Sequence, residues 1–195
     1  MTTTLQQTMP VYHFHERHSR LISAPPDAVW RALTTLTLND LRITRPLVAL
    51  RNVGGYRTSS AKPLLTNGPA PIFDLDPPHY TIGGSVSRPW QLRPERRTVG
   101  SIDEFAAFDE PGWVKYLVDF DLTPQGDATR LSTETRGYST NDHARRMFRF
   151  YWAAIRLGSA AVRRDILASI AKASAGATGD VSTSTAPSST RTRPL

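Results

Sequence analysis

Hydrophobic and polar positions change their period several times along this chain, and each change marks an element. Over 113–123, WVKYLVDFDLT, strict alternation places Val114, Tyr116, Val118, Phe120 and Leu122 on one face of a strand. PQGD follows as a turn, and 128–138 reads as the returning strand. Pairing Thr123 with Ala128 sets Phe120 opposite Leu131, Val118 opposite Thr133 and Tyr116 opposite Thr135, with Asp121 facing Arg130 on the other side. In that register Thr133 and Thr135 point inward, while Glu134 and Arg136 lie on a charged, solvated outer face.

Residues 11–23, VYHFHERHSRLIS, read as a strand that stops at APP, because proline has no ladder donor. PDAVWRALTT then predicts a helix. Pro26 suits its first turn, Asp27 complements the positive end of the dipole, Val29 and Leu33 supply the apolar side, and Trp30 lies on a flank. RPLVALRNV (45–53) predicts a second short helix closed by Gly54–Gly55, and 54–70 reads as a loop. PIFDLD and HYTIGGSVSRPW read as strands, the glycine pair of the second marking a bulge or a close backbone approach.

From Thr140–Asn141–Asp142, all capping types, the period becomes helical. Ala144, Phe148, Tyr151, Ile155, Ser159, Val162 and Ile166 form one stripe, with Trp152 and Ile170 at its edge. Arg145, Arg149, Arg156 and Arg163 line the adjoining flank, where their stems can cover apolar surface while the charges stay wet. Gly158 interrupts this helix at a cost of about 1 kcal/mol relative to alanine, which marks a bend or a close contact.

The ends differ from the middle. Residues 1–10 read as a flexible N-terminus, and 173–195, rich in Ser, Thr, Gly and Pro, as a disordered tail, since neither buries enough surface to offset its ordering entropy. One domain, 11–172, remains.

Composition narrows the function. The net charge is +7, but 21 of the 24 basic residues are arginine, scattered from Arg17 to Arg193, with no helix-turn-helix or aromatic RNA motif beside them. That pattern does not predict a specific nucleic-acid partner. The chain has no cysteine, which removes disulfides, thiolate catalysis and cysteine–zinc sites. No apolar run is long enough for a membrane span and no secretory signal is visible, so the expected location is cytoplasmic. HFHERH is not HExxH: on a strand His13 and His15 share one face and His18 takes the other, so no metal site is predicted. His18 and Arg20 share their face with Ile22. No nucleophile triad, phosphate loop or cofactor motif is present, and monomer and homodimer are both open.

LISAPPDAVWRAL, with its apolar strand end, Ala-Pro pair and Val-Trp helix start, resembles the first strand and helix of the START-like superfamily, also called SRPBCC. That superfamily includes polyketide cyclases, lipid-transfer domains and pollen-allergen-like proteins. FAAFDEPGWVKYLVDF, TRLSTETRGYSTNDHARRMFRFYW and GSAAVRRDIL resemble an uncharacterised bacterial branch of it, and the likeness covers about residues 12–172. It implies an α+β helix-grip fold: two short helices after the first strand, and a curved antiparallel sheet wrapped around the long C-terminal helix. An apolar cavity would lie between sheet and helix. Its expected lining is Trp90, Tyr116, Val118, Phe120, Thr133, Thr135, Phe148, Tyr151, Trp152 and Ile155, with His18 and Arg20 approaching it if Ile22 points inward.

The function so implied is binding or carriage of an apolar small molecule, lipid-, polyketide- or isoprenoid-like, with an arginine or threonine anchoring its polar end. No cofactor is expected. The alternative is a cyclase/aromatase-type enzyme in which His18, Tyr116 or Arg20 handles protons. The absence of a dedicated catalytic motif favours binding.

Overall fold

The computed structural model describes residues 3–46, 61–68 and 70–181. The elements are α1 (Leu5–Thr8), β1 (Phe14–Ile22), α2 (Pro26–Thr35), a 3-10 turn (Leu38–Asp40), α3 (Leu64–Asn67), β2 (Ile72–Asp76), β3 (Tyr80–Arg88), β4 (Glu95–Arg97), α4 (Ile102–Ala107), β5 (Val114–Gln125), β6 (Ala128–Ser139) and α5 (Asp142–Val181). The strands form one curved antiparallel sheet in the order β1-β6-β5-β3-β2, with β4 on the end of β3. With the long α5 packed on the concave face, this is the α+β helix-grip arrangement.

Local chemistry explains most boundaries. β1 ends before Pro25 and Pro26, and α2 takes Pro26 at its first position and Asp27 in its first turn. Asn141 caps α5: its Oδ1 accepts the Ala144 N–H at 2.9 Å. The glycine pair in β3 serves close approach. A Cβ on Gly83 would stand 2.6 Å from the Pro71 carbonyl oxygen, and β2 shows a register shift opposite it. Of the predicted helix 45–53, only 45 and 46 are described, and both are helical; 47–53 lie outside the described residues.

The hairpin register differs from expectation by two residues. Gln125 pairs with Ala128, so the turn is Gly126–Asp127, and Phe120 faces Thr133, Val118 faces Thr135 and Tyr116 faces Gly137. Asp121 faces Ser132, and Arg130 faces Thr123. Gly126 has φ +59° and, among the described residues, no non-glycine residue has positive φ, the pattern of a two-residue hairpin turn with glycine first. Pro124, expected in the turn, lies in the strand. Pairing of β5 with β3 stops at Asp121, so Pro124 meets a free edge where its missing donor costs nothing. Because side chains alternate with period two, a slip of two leaves every residue on its predicted face.

Both faces of the sheet carry a core. On the concave side Ile22, Val29, Leu33, Leu41, Phe120, Leu122, Leu131, Leu167 and Ile170 pack together between sheet, α2 and α5. On the convex side Leu5, Met9, Ile82, Val86, Phe105, Trp113 and Leu117 form a second cluster beneath α1 and α4. Two expectations change as a result. The first ten residues were expected to be loose, yet a Thr4–Gln7 capping box closes one helical turn and buries Leu5 and Met9. The face holding Glu134 and Arg136 was expected to be solvated, yet Arg136 is buried, donating to Glu134 Oε1 at 2.7 Å and to the Met9 carbonyl at 2.9 Å. At the other end α5 overruns residue 172, continuing to Val181 with Ser174 fully buried; 182–195 lie outside the described residues.

Candidate functional site

Pairing registers align the concave face into rows. Phe14, Gly137, Tyr116 and Ser85 form one; Glu16, Thr135, Val118 and Gly83 the next; His18, Thr133, Phe120 and Thr81 the third. His18, Arg20 and Ile22 share this face, as alternation predicts, and Glu16 is on it too. His13 and His15 are on the other face, where His13 Nδ1 accepts the Ser139 N–H and His15 Nε2 lies 3.1 Å from Glu134. Burial first, then Arg145, lowers the His13 pKa against a smaller opposing pull from Asp142. Among the described residues no three His, Cys, Asp or Glu side chains gather as metal ligands.

Helix α5 is buried at two places along its length. Ala144 and Phe148 are buried near its start, with the Phe148 ring edge-on to Phe14 at 4.4 Å, and Leu167 and Ile170 are buried farther along. Its middle is different. Tyr151, Trp152, Ile155, Ser159 and Arg163 all retain solvent contact, as do Glu16, His18, Tyr116, Val118 and Thr135 on the sheet. These partly buried side chains face one another along the seam between the central helix turns and β1, β6 and β5, the candidate cleft. Hydrogen bonds from Ser159 to Glu16 and from Arg163 to Thr135 bridge it. Beside it, a void of about 20 Å³, room for one water, lies between Val118 and Phe120 of β5, Thr81 and Gly83 of β3, and Leu65 and Ile72.

The polar groups of the cleft are tied to one another. Glu16 Oε1 is 2.6 Å from His18 Nε2, and Glu16 Oε2 accepts from the Ser159 hydroxyl at 2.9 Å. Arg163 Nη2 donates to Thr135 Oγ1 at 2.7 Å. Burial pulls the Arg163 pKa down, while Glu16, Tyr116 and Asp119 hold it up. Tyr116 has its phenol pushed up by burial and, less, by Tyr151; Arg96, a hydrogen bond with Ser85, and Arg163 pull the other way. Thr133 Oγ1 is buried and, among the described residues, has no hydrogen-bond partner. Chemically, the cleft offers an aromatic wall, a guanidinium, several hydroxyls, and an imidazole oriented by a carboxylate.

Of the ten expected lining residues, eight lie on the two surfaces that face each other here. Tyr116, Val118, Phe120, Thr133 and Thr135 lie on the concave sheet face, and Tyr151, Trp152 and Ile155 on the helix side. Phe148 is buried near the start of α5, stacked at 5.9 Å on Trp152. Trp90 lies in the turn beyond β3, half-buried and outside this bonded cluster. His18 is in the cleft, whereas Arg20, on the same face, is exposed toward the end of β1.

Glu16, Ser159 and Arg163 were missed as a group. Alternation along β1 already put Glu16 on the His18 face, and Ser159 was on the predicted stripe. Arg163 was read as a wet flank residue like Arg145, Arg149 and Arg156, which are indeed exposed. It turns inward because it sits one helical turn beyond Ser159, where the gap is polar.

No family model matches the chain, and no curated protein matches it. Among solved structures it is similar to protein MLL2253 from Mesorhizobium loti, at 16% identity and a TM-score of 0.41, over 82% of this chain and 98% of that one. It is similar to a conserved protein from Geobacillus kaustophilus at 15% identity and a TM-score of 0.39, over 84% and 97%. It also matches the Zhui aromatase/cyclase from Streptomyces sp. R1128 at 12% identity and a TM-score of 0.32, over 85% and 95%. Among the described residues no helix is long and apolar enough to cross a membrane.

Proposed function

We propose that this protein binds or carries an apolar small molecule in the cleft between the sheet and the middle of α5. The observation that carries this reading is the contrast along one helix. α5 is buried at Ala144 and Phe148 and again at Leu167 and Ile170, while Tyr151, Trp152 and Ile155 between them keep part of an aromatic and aliphatic surface in contact with solvent. Leaving such surface unburied forgoes about 25 cal/mol per Å², and a bound apolar body recovers it. Lipid-, polyketide- and isoprenoid-like molecules all have suitable bodies.

Native mass spectrometry of freshly purified protein tests the reading, together with a thermal-shift panel of fatty, aromatic and isoprenoid compounds. A co-purifying mass, or a melting temperature that rises with ligand concentration, is expected. A protein that carries no extra mass and is stabilised by none of the panel has no such function.

One observation favours a second reading, a cyclase-type enzyme. The 2.6 Å contact between His18 and Glu16 orients an imidazole inside the cleft, the geometry used for proton transfer. Tyr116, two rows away on the same face, supplies a phenol as a second proton-bearing group. Under this reading His18→Ala folds normally but fails to turn over a matched polyketide-like substrate, and unchanged turnover removes His18 from the mechanism.

A further inference from the structure

Among the described residues Arg136 and Arg163 both turn their guanidinium groups inward, and they are treated differently. On the convex side Arg136 is completed by the chain itself. It bonds Glu134 at 2.7 Å and the Met9 carbonyl at 2.9 Å, and lies 4.7 Å from the centre of the Tyr12 ring. A buried guanidinium needs that much, because an uncompensated buried charge is costly.

Arg163 is not completed in this way. Its bond to Thr135 goes to a neutral hydroxyl. Among the described residues no carboxylate oxygen lies within 4.0 Å of its nitrogens; Glu16 supports its charge from a distance but gives one oxygen to His18 and the other to Ser159. A guanidinium offers five N–H donors in a planar fork matched to two oxygens. Hydroxyls line the adjoining sheet positions: Thr135 itself, Thr133 with its orphaned Oγ1, and Ser85 beside Tyr116.

We infer that Arg163 is the anchor for a single carboxylate at the head of the apolar ligand, whose body runs along α5 toward Ile155 and Trp152. This assignment rests on the cleft being the ligand site. Glu16 sets the charge limit: a monoanion can pair with Arg163 while a dianionic phosphate is repelled by the carboxylate on the facing strand. The helix sets the length, since Ile155 and Trp152 lie about 12 and 16 Å from Arg163 at 1.5 Å per residue. A chain of about a dozen carbons has that reach.

Isothermal titration of wild-type protein with dodecanoate, 1-dodecanol and dodecyl phosphate at pH 7.5 separates the possibilities. Dodecanoate is expected to bind at least tenfold more tightly than the alcohol, with the phosphate weaker than the carboxylate. In Arg163→Met the preference for carboxylate over alcohol is expected to shrink to within about twofold while the alcohol's affinity is kept; were that variant to fail to fold, Arg163→Gln is read in its place. Equal binding of acid and alcohol by the wild type overturns the anchor and leaves the cleft standing. So does a preference that survives loss of the arginine. Phosphate binding more tightly than carboxylate overturns the monoanion assignment, and no binding of any probe removes the cleft reading and the anchor with it.

Discussion

Thr44 and Asp165 are joined twice: Asp165 Oδ2 accepts the Thr44 backbone N–H at 2.8 Å and the Thr44 hydroxyl at 2.9 Å. The same oxygen takes the Ile43 N–H at 2.9 Å, so one carboxylate of α5 fastens the segment that follows the 3-10 turn.

Replacing Asp165 by alanine leaves those buried donors unpaired, and a loss of about 2–4 kcal/mol of stability is expected in urea unfolding. Burial alone would raise this acid's pKa, but the bonds from Thr44, Ile43 and Arg42 outweigh it and lower the folded value. The stabilisation is therefore full above the unfolded value of about 3.9 and is lost as pH falls through the folded one. Asp165→Asn should show a shallower loss of stability below pH 4 than wild type. Parallel acid limbs in the two proteins would count against the assignment.

Asp119 has the opposite sign. It sits on the convex face, accepting the Glu134 N–H at 2.8 Å and the Tyr80 hydroxyl at 3.2 Å, and Tyr80 in turn accepts the Leu5 N–H. Burial, with help from Glu134 and Asp121, pushes its pKa up to about 6 against those hydrogen bonds. A folded value above the unfolded one means stability falls as pH rises from about 4 through about 6. Asp119→Asn keeps an acceptor for Glu134 and removes the charge. It should match wild type near pH 4 and exceed it at pH 7.5 by on the order of 1–2 kcal/mol, after screening by the water that still reaches the group. Denaturation curves at four pH values decide it; a constant offset would refute the linkage.

Thr129 and Thr133 are both buried in β6 and should respond in opposite ways to the same change. Thr129 Oγ1 donates to the Ala24 carbonyl at 2.7 Å, tying β6 to the turn before α2, whereas Thr133 Oγ1 has no partner among the described residues. Thr129→Val is expected to cost about 1–3 kcal/mol. Thr133→Val is expected to be neutral or slightly stabilising by thermal melting, because it removes a desolvated hydroxyl. Equal losses would show that the Thr133 hydroxyl is paired in the folded protein.

Gly158 was expected to mark a bend or a close contact, and a Cβ placed there meets nothing within 4 Å among the described residues. Close contact with those residues is not its reason. Gly158→Ala should stabilise the protein by about 0.5–1 kcal/mol, raising the melting temperature by about 1–4 °C in a chain of this size. An unchanged or lower melting temperature would show that this turn of α5 needs the glycine's freedom.

What could be read in advance followed period. Alternation placed His18, Tyr116, Val118, Thr133 and Thr135 on the concave face, and the 3.6 repeat placed Tyr151, Trp152 and Ile155 toward it. Even the two-residue register error preserved the faces, because period two cannot register it. What escaped depended on chain segments distant in sequence. Nothing local to Glu134 or Arg136 says that Leu5 and Met9 return to cover their face. Nor does the flank on which Arg163 lies say that one of four aligned arginines turns inward; that depends on Thr135, 28 positions earlier.

The two cores also give the central strand an unusual property. Phe120 of β5 belongs to the cluster shared with α2 and α5, and Leu117 of the same strand to the one beneath α1 and α4. Spectroscopic reporters placed at these two positions, three residues apart, would therefore follow the two halves of the molecule separately. A change confined to the concave side would move one signal and leave the other still, so a single strand can distinguish local loosening from global unfolding.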